Sequence, residues 1–135
     1  MFDPLGIDSV FWYHFNNEAY ACDGSINLTP RDMVKIGVTF LNDGLWNGQR
    51  IISKQWVDKI KTAYKNNNGI NVPLDDMGKT DYSYTWWLRE LSGGENRARI
   101  FHTSEWGGQE IIVIPDYNMV VFTGANYVVK NTFAK

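Results

Sequence analysis

Cysteine is almost absent from this sequence. Cys22 stands alone among 135 residues, which excludes an intrachain disulfide framework. Charge of one sign is missing too: thirteen basic residues face fifteen acidic ones, for a net charge of −2. Such a balance gives no electrostatic footprint for nucleic acid or for an anionic membrane surface. Long hydrophobic runs are lacking, since a stretch such as 111–115 is far too short to span a bilayer. Met1 is not followed by a basic stretch and an apolar core, so no secretory leader is visible. There is no internal repeat and no low-complexity tract. The adjacent carboxylates Asp75 and Asp76 fall short of the ligand number of a metal site and read as a solvated loop. No metal and no cofactor are expected.

What is present is an ordinary globular composition, 44% hydrophobic and 21% charged, in a chain long enough for one domain. Aromatic residues are the exception. Six Trp, seven Tyr and seven Phe make 15% of the chain. They supply large buried area per residue, and they also suit a site for a sugar or a peptide.

Local patterning gives the elements. Pro4 and Gly6 mark a turn, 10–15 a short strand, and Asn16-Asn17 a further turn. Thr29-Pro30-Arg31-Asp32 predicts a helix start: the threonine caps, the proline suits the first helical position, and the aspartate sits three residues past the cap. Met33, Ile36, Phe40 and Leu41 then mark one face, and Asn42-Asp43-Gly44 ends the helix. Asn47-Gly48 predicts a tight turn. Ser53 predicts a second cap, with Trp56, Val57, Ile60 and Tyr64 on one face. Residues 66–81 read as a surface loop. From Tyr82 the period becomes two, which predicts one strand over 82–91, followed by strands over 98–103, 110–114 and 119–124, with a turn at 115–118. A further helix could begin at 130. The fold class is therefore α+β, an antiparallel sheet with helices packed on it. The strand 119–124 is apolar on both faces, as a central strand would be. With the abrupt start and stop, it points to a single domain over 1–135 that is a fragment of something larger.

Several of these residues, taken in order, resemble a known family. The opening Phe2-Asp3-Pro4-Leu5-Gly6-Ile7 is followed by Leu28-Thr29-Pro30-Arg31-Asp32-Met33 and Gly37. Then come Phe40-Leu41-Asn42-Asp43-Gly44, Trp46-Asn47-Gly48-Gln49-Arg50-Ile51-Ile52 and Trp56-Val57. Tyr84-Thr85-Trp86-Trp87-Leu88 and Trp106-Gly107-Gly108-Gln109 through Ile114-Pro115 close the series. It resembles the C-terminal portion of the β-lactamase-related serine hydrolases: class C β-lactamases, penicillin-binding proteins, D-Ala-D-Ala carboxypeptidases and related esterases. The resemblance implies a partial β-lactamase/transpeptidase-like fold and acyl transfer on amide, lactam or ester carbonyls. It implies a serine nucleophile in Ser-x-x-Lys, a Tyr-x-Asn loop and a Lys-Thr-Gly strand whose amides help hold an oxyanion.

Only the third of these has a counterpart here. His102-Thr103-Ser104 stands in the place of Lys-Thr-Gly, with histidine able to carry positive charge toward a substrate carboxylate. Ser104 departs from the triplet's glycine, and Glu105 from the glycine that many relatives place before the tryptophan. Trp106, Gly107 and Gly108 are the substrate-binding candidates, the glycines allowing close backbone approach. Each of these has a plainer alternative, as an ordinary strand residue for His102 and as a tight strand connection with a core tryptophan for 106–108. No Ser-x-x-Lys occurs in the chain. Thr62-Ala63-Tyr64-Lys65 and Tyr64-Lys65-Asn66 have the spacings of the missing motifs but lie out of order, and read as chance. His14 reads as a packed or edge residue. Asn27-Leu28-Thr29 matches a glycosylation acceptor, yet Thr29 is better used as a cap.

The chain is thus expected to be the C-terminal part of a serine hydrolase, inactive alone, with a small-molecule or peptidoglycan-like substrate in an intact parent that works outside the cytoplasm. The rival is a non-catalytic binding module for peptidoglycan-like or glycan ligands. No nucleic acid and no membrane span are expected, and a homodimer through strand 119–124 is.

Overall fold

In the computed structural model the described residues are 1–15, 19–21, 26–64, 69–71, 79–105 and 107–124. Two helices form where capping chemistry places them. Helix α1 spans Pro30–Leu41, with Thr29 at its N-cap. The Thr29 hydroxyl accepts from the Asp32 amide at 3.2 Å and donates to the Asp32 carboxylate at 2.6 Å. One side chain so satisfies an orphan donor and orients an acid beside the positive helix end. Helix α2 spans Lys54–Ile60, and the Ser53 hydroxyl accepts from the Trp56 amide at 3.2 Å.

The first strands are two-residue pairs. β1 (Phe11–Trp12) pairs with β4 (Ile26–Asn27), and β2 (His14–Phe15) with β3 (Ala19–Tyr20). The single strand expected over 10–15 is interrupted at Tyr13, whose carbonyl accepts from the Ala21 amide at 3.0 Å instead of continuing either ladder. β5 (Leu45–Trp46) and β6 (Gln49–Arg50) close over the expected Asn47-Gly48 turn, with φ of 47° and 79°. The main sheet follows: β7 (Ile70–Asn71), β8 (Lys79–Ser83), β9 (Trp86–Gly93), β10 (Asn96–His102), β11 (Glu110–Ile114) and β12 (Met119–Thr123). Its spatial order is β12-β11-β10-β9-β8-β7, every described neighbour antiparallel.

The core lies between the helices and one sheet face. Val57 and Ile60 are fully buried and meet Phe40, Trp86, Phe101, Ile111 and Val113. Met33, Ile36, Leu41, Leu88, Val120 and Phe122 pack around them. Trp56 and Tyr64, expected on the buried face of α2, are instead exposed. Their rings lie against Tyr84, 4.8 and 5.2 Å between centroids. Lys35 ties α1 to the N-terminal turn, donating to the Gly6 carbonyl at 2.7 Å and pairing with Asp32 at 2.9 Å.

Two carboxylates gain from such partners. The Thr29 hydroxyl and then Lys35 hold Asp32 below its usual 3.8. The Lys61 ammonium, 2.7 Å away, does the same for Asp43. A carboxylate depressed in the folded state contributes stability that is complete above its unfolded pKa and is lost as pH falls through the folded one. The melting temperature is therefore expected to hold down to about pH 5 and to drop below it. Thermal melts from pH 7 to 2 check this. An acid limb equally steep in an Asp32→Asn, Asp43→Asn double variant would assign it to other groups. Lys54 is shifted the other way, raised above 10.5 mainly by its bond to Asp58, so its contribution is lost only in strong alkali.

One expectation about the sheet is corrected. The strand expected over 82–91 is a hairpin, because the chain reverses at Tyr84-Thr85 between Ser83 and Trp86. Both turn residues have positive φ, 46° and 74°. Such turns normally take Asn-Gly, and a β-branched residue there is strained. Alternation runs unbroken through the turn, so nothing in the local pattern announces it. Thr85→Gly is expected to stabilise the domain by about 1 kcal/mol, the released strain exceeding the entropy cost of glycine. A lowered midpoint in urea for that variant would show that Thr85 is held by contacts rather than strained. β12 is apolar on both faces, as a central strand of a larger sheet would be, and the dimer expected through it needs an open edge. Among the described residues it pairs with β11 alone and forms an edge. Its apolar face toward α1 is half-buried, while Met119 and Val121 on the other face are exposed. The expected turn at Asn16-Asn17, most of the 66–81 loop including Asp75 and Asp76, and the helix from 130 lie outside the described residues.

Candidate functional site

The site begins where β10 ends. His102 pairs across the sheet with Trp87 on β9 and Ile112 on β11. It is 3% exposed and lies on the face turned away from the helices, because Phe101, its neighbour, belongs to the core cluster. Glu110 and Ile112 alternate with the core residues Ile111 and Val113, which puts them on the His102 face. Trp87 stacks with Tyr82 there, 4.6 Å between ring centroids.

His102 Nδ1 is 3.1 Å from the Thr103 carbonyl. A carbonyl only accepts, so this contact requires the proton on Nδ1. The same nitrogen is 3.8 Å from one Glu110 carboxylate oxygen. The other oxygen accepts from the Ser104 hydroxyl at 3.3 Å. Glu110 therefore stands between His102 and Ser104. Thr103 serves the sheet instead: its amide donates to the Ile111 carbonyl, and its hydroxyl accepts from the Ile111 amide at 3.0 Å.

The connection to β11 is tight. The Gly108 amide donates to the Glu105 carbonyl at 2.9 Å, and the Glu105 amide to the Gln109 carbonyl at 3.2 Å. Gly108 has φ of 75°, and the Thr123 hydroxyl donates to its carbonyl at 3.1 Å, fastening the loop to β12. A side chain at Gly107 would meet the Gln109 amide group. Gly107 and Gly108 lie in the connection that follows His102, Thr103 and Ser104. Trp106 lies outside the described residues.

The arrangement is a polar cluster of histidine, serine and glutamate beside a glycine turn. It can hold a polar or anionic group near the sheet end. It does not place an imidazole on a serine hydroxyl, since the carboxylate intervenes. Glu110 was not among the expected residues. Its signal was the spacing of six between Ser104 and Glu110 around Gly107-Gly108, which sets the two opposite each other once the strands pair. The remaining candidates lie elsewhere. His14 is exposed, its ring 5.8 Å from Tyr20. Thr62 donates to the Asp58 carbonyl at 3.2 Å. Lys65 and Asn66 lie outside the described residues. Among the described residues no group of three His, Cys, Asp or Glu could hold a metal ion, and no helix is long and apolar enough to cross a membrane.

No protein-family model matches the sequence, and no curated protein does. Solved structures do match. One is the "Putative 6-aminohexanoate-dimer hydrolase from Bacillus anthracis", similar with a TM-score of 0.67 and 21% identity. The alignment covers 90% of this chain and 29% of that one. The α+β fold seen here is therefore the fold of part of a larger hydrolase structure.

Proposed function

We propose that the chain is the C-terminal part of a β-lactamase-related serine hydrolase and is inactive by itself. The observation that carries this reading is the end of β10. His102-Thr103-Ser104 occupies a strand terminus beside a glycine turn, on an antiparallel sheet backed by helices, as the Lys-Thr-Gly strand of that family would. The likeness to a 6-aminohexanoate-dimer hydrolase supports the same class and adds linear amides to the substrates to be tested. In this reading His102 meets a substrate carboxylate, Thr103 keeps the strand in register and Ser104 is a binding group. Acyl transfer needs a nucleophile activated by an adjacent base. Here the described serines offer no such pair, and the nucleophile and its base would come from outside these 135 residues.

The isolated chain is expected to show no labelling by a fluorophosphonate probe and no turnover of a chromogenic cephalosporin above buffer. Stoichiometric labelling of any serine would overturn the inactivity. Reading the DNA upstream of Met1 tests the parentage: an in-frame Ser-x-x-Lys supports it, and a stop codon without one favours a free-standing module. We further propose that the open β12 edge pairs with a second copy of the chain.

A further inference from the structure

We propose that the shallow cleft between α2 and the β8–β9 turn binds a neutral oligosaccharide, with Tyr64 and Tyr84 as its stacking rings. The cleft has a volume of about 460 Å³, within the range of small-molecule sites. Besides the two tyrosines it is lined by Gln55, Asp58, Lys59 and Thr62. One face of α2 and the turn that follows it thus present an amide, a carboxylate, an ammonium and a hydroxyl beside two aromatic rings. The charges cancel, which favours an uncharged ligand carrying many hydroxyls over an anion or a cation. The Asp58 carboxylate already takes Lys54 at 2.8 Å through one oxygen, and the Thr62 hydroxyl is engaged with the Asp58 carbonyl. Gln55 and Lys59 are the groups best placed to meet sugar hydroxyls.

The rings are the stronger argument. Trp56, Tyr84 and Tyr64 form a continuous cluster, yet they remain 41%, 37% and 52% exposed. A cluster that only pinned the turn to the helix would bury its rings. The C–H face of a pyranose is weakly positive and apolar, and it complements the negative face of an aromatic ring. The turn adds an independent observation. Asn-Gly would close this hairpin without strain, whereas Tyr84-Thr85 holds two side-chain-bearing residues at positive φ. The strained turn is what delivers the Tyr84 ring to the cleft, and strain retained at such a position is characteristic of binding sites. The site does not depend on the hydrolase reading, since none of its residues belongs to the His102 cluster.

The test is titration of the full chain with chitotetraose and with cellotetraose, followed by the side-chain and amide NMR signals of Tyr64, Tyr84 and the Trp56 indole. Saturable shifts confined to these residues, at millimolar affinity or better, are expected for at least one sugar. Tyr64→Ala should weaken binding at least tenfold, and Tyr84→Phe, which keeps the ring, by much less. Phe11→Ala, at an exposed aromatic of β1 that does not line the cleft, should leave binding unchanged. Absence of saturable shifts with both sugars overturns the proposal. So does binding that survives Tyr64→Ala in a folded variant, or that is lost in Phe11→Ala.

Discussion

Gly37→Leu is expected to abolish folding. Gly37 sits in the middle of α1, on the side that meets β11 and β12. A Cβ there would lie 2.5 Å from a Val120 methyl and 2.8 Å from an Ile111 methyl. Both neighbours are β-branched and stiff at χ1, and both are fixed in the sheet by paired backbone bonds, Ile111 opposite Phe122 and Val120 opposite Val113. Neither can swing aside. Inserting methylenes into such a contact costs about 1–3 kcal/mol even when the structure can relax. A leucine brings four carbons to a site where one already clashes. Domains of this kind are stable by about 5–15 kcal/mol, and the helix cannot lift off the sheet without exposing Phe40 as well. Gly37→Ala separates two opposing terms. Alanine gains about 1 kcal/mol of helix propensity over glycine, and the clash is expected to outweigh it, leaving the variant less stable by about 1 kcal/mol. Circular dichroism and thermal melts measure both. A cooperative melt of Gly37→Leu within a few degrees of the wild type would mean that α1 is not seated on β12 as described.

The second large effect concerns β12. Among the described residues its outer edge has no strand beside it, and Val121 is 36% exposed on the face away from α1. An unpaired strand edge offers a row of backbone donors and acceptors. A net charge of −2 opposes association only weakly. The closed solution with the least new structure is a two-fold pairing of β12 with β12. The chain is therefore expected to be a dimer at micromolar concentration by light scattering. Val121→Lys, which adds a like charge to each copy of the strand near the twofold, is expected to return it to a monomer. A wild-type chain that stays monomeric at high concentration would show that the edge is already covered.

Local chemistry made part of this molecule readable beforehand. The caps at Thr29 and Ser53, the Asn47-Gly48 turn and the strand at 110–114 depend on a few adjacent residues and form as expected, and the strand expected over 119–124 forms over Met119–Thr123. What escaped depends on partners distant in sequence. Tyr84-Thr85 carries no turn signature, and the Tyr84 ring lies against Trp56 on α2 and Tyr64 beyond it. Trp56 and Tyr64 fit the apolar stripe of α2, but that helix is only seven residues long, and Val57 and Ile60 suffice to bury its core side. Gly37 was named only within the series that resembles the family, and its packing role exists only once the sheet lies against it. At the candidate site, the family resemblance singled out His102, Thr103 and Ser104 as candidates. Glu110 was not, because its role exists only after β10 and β11 are in register.

The order of the main sheet governs how this chain reaches its structure. Each described strand from β7 to β12 lies beside its immediate successor in sequence. Such a meander has low contact order for a sheet, and little loop entropy is lost as each hairpin joins the last. The docking of α1 on β11 and β12 is the exception, joining Gly37 to Ile111 and Val120 across most of the chain. Assembly of the ladder can therefore run ahead of the helix, with β10 and β11 meeting early and α1 closing last. In that order the contact at Gly37 forms late, so a variant that loosens it is expected to unfold faster while folding at nearly the wild-type rate.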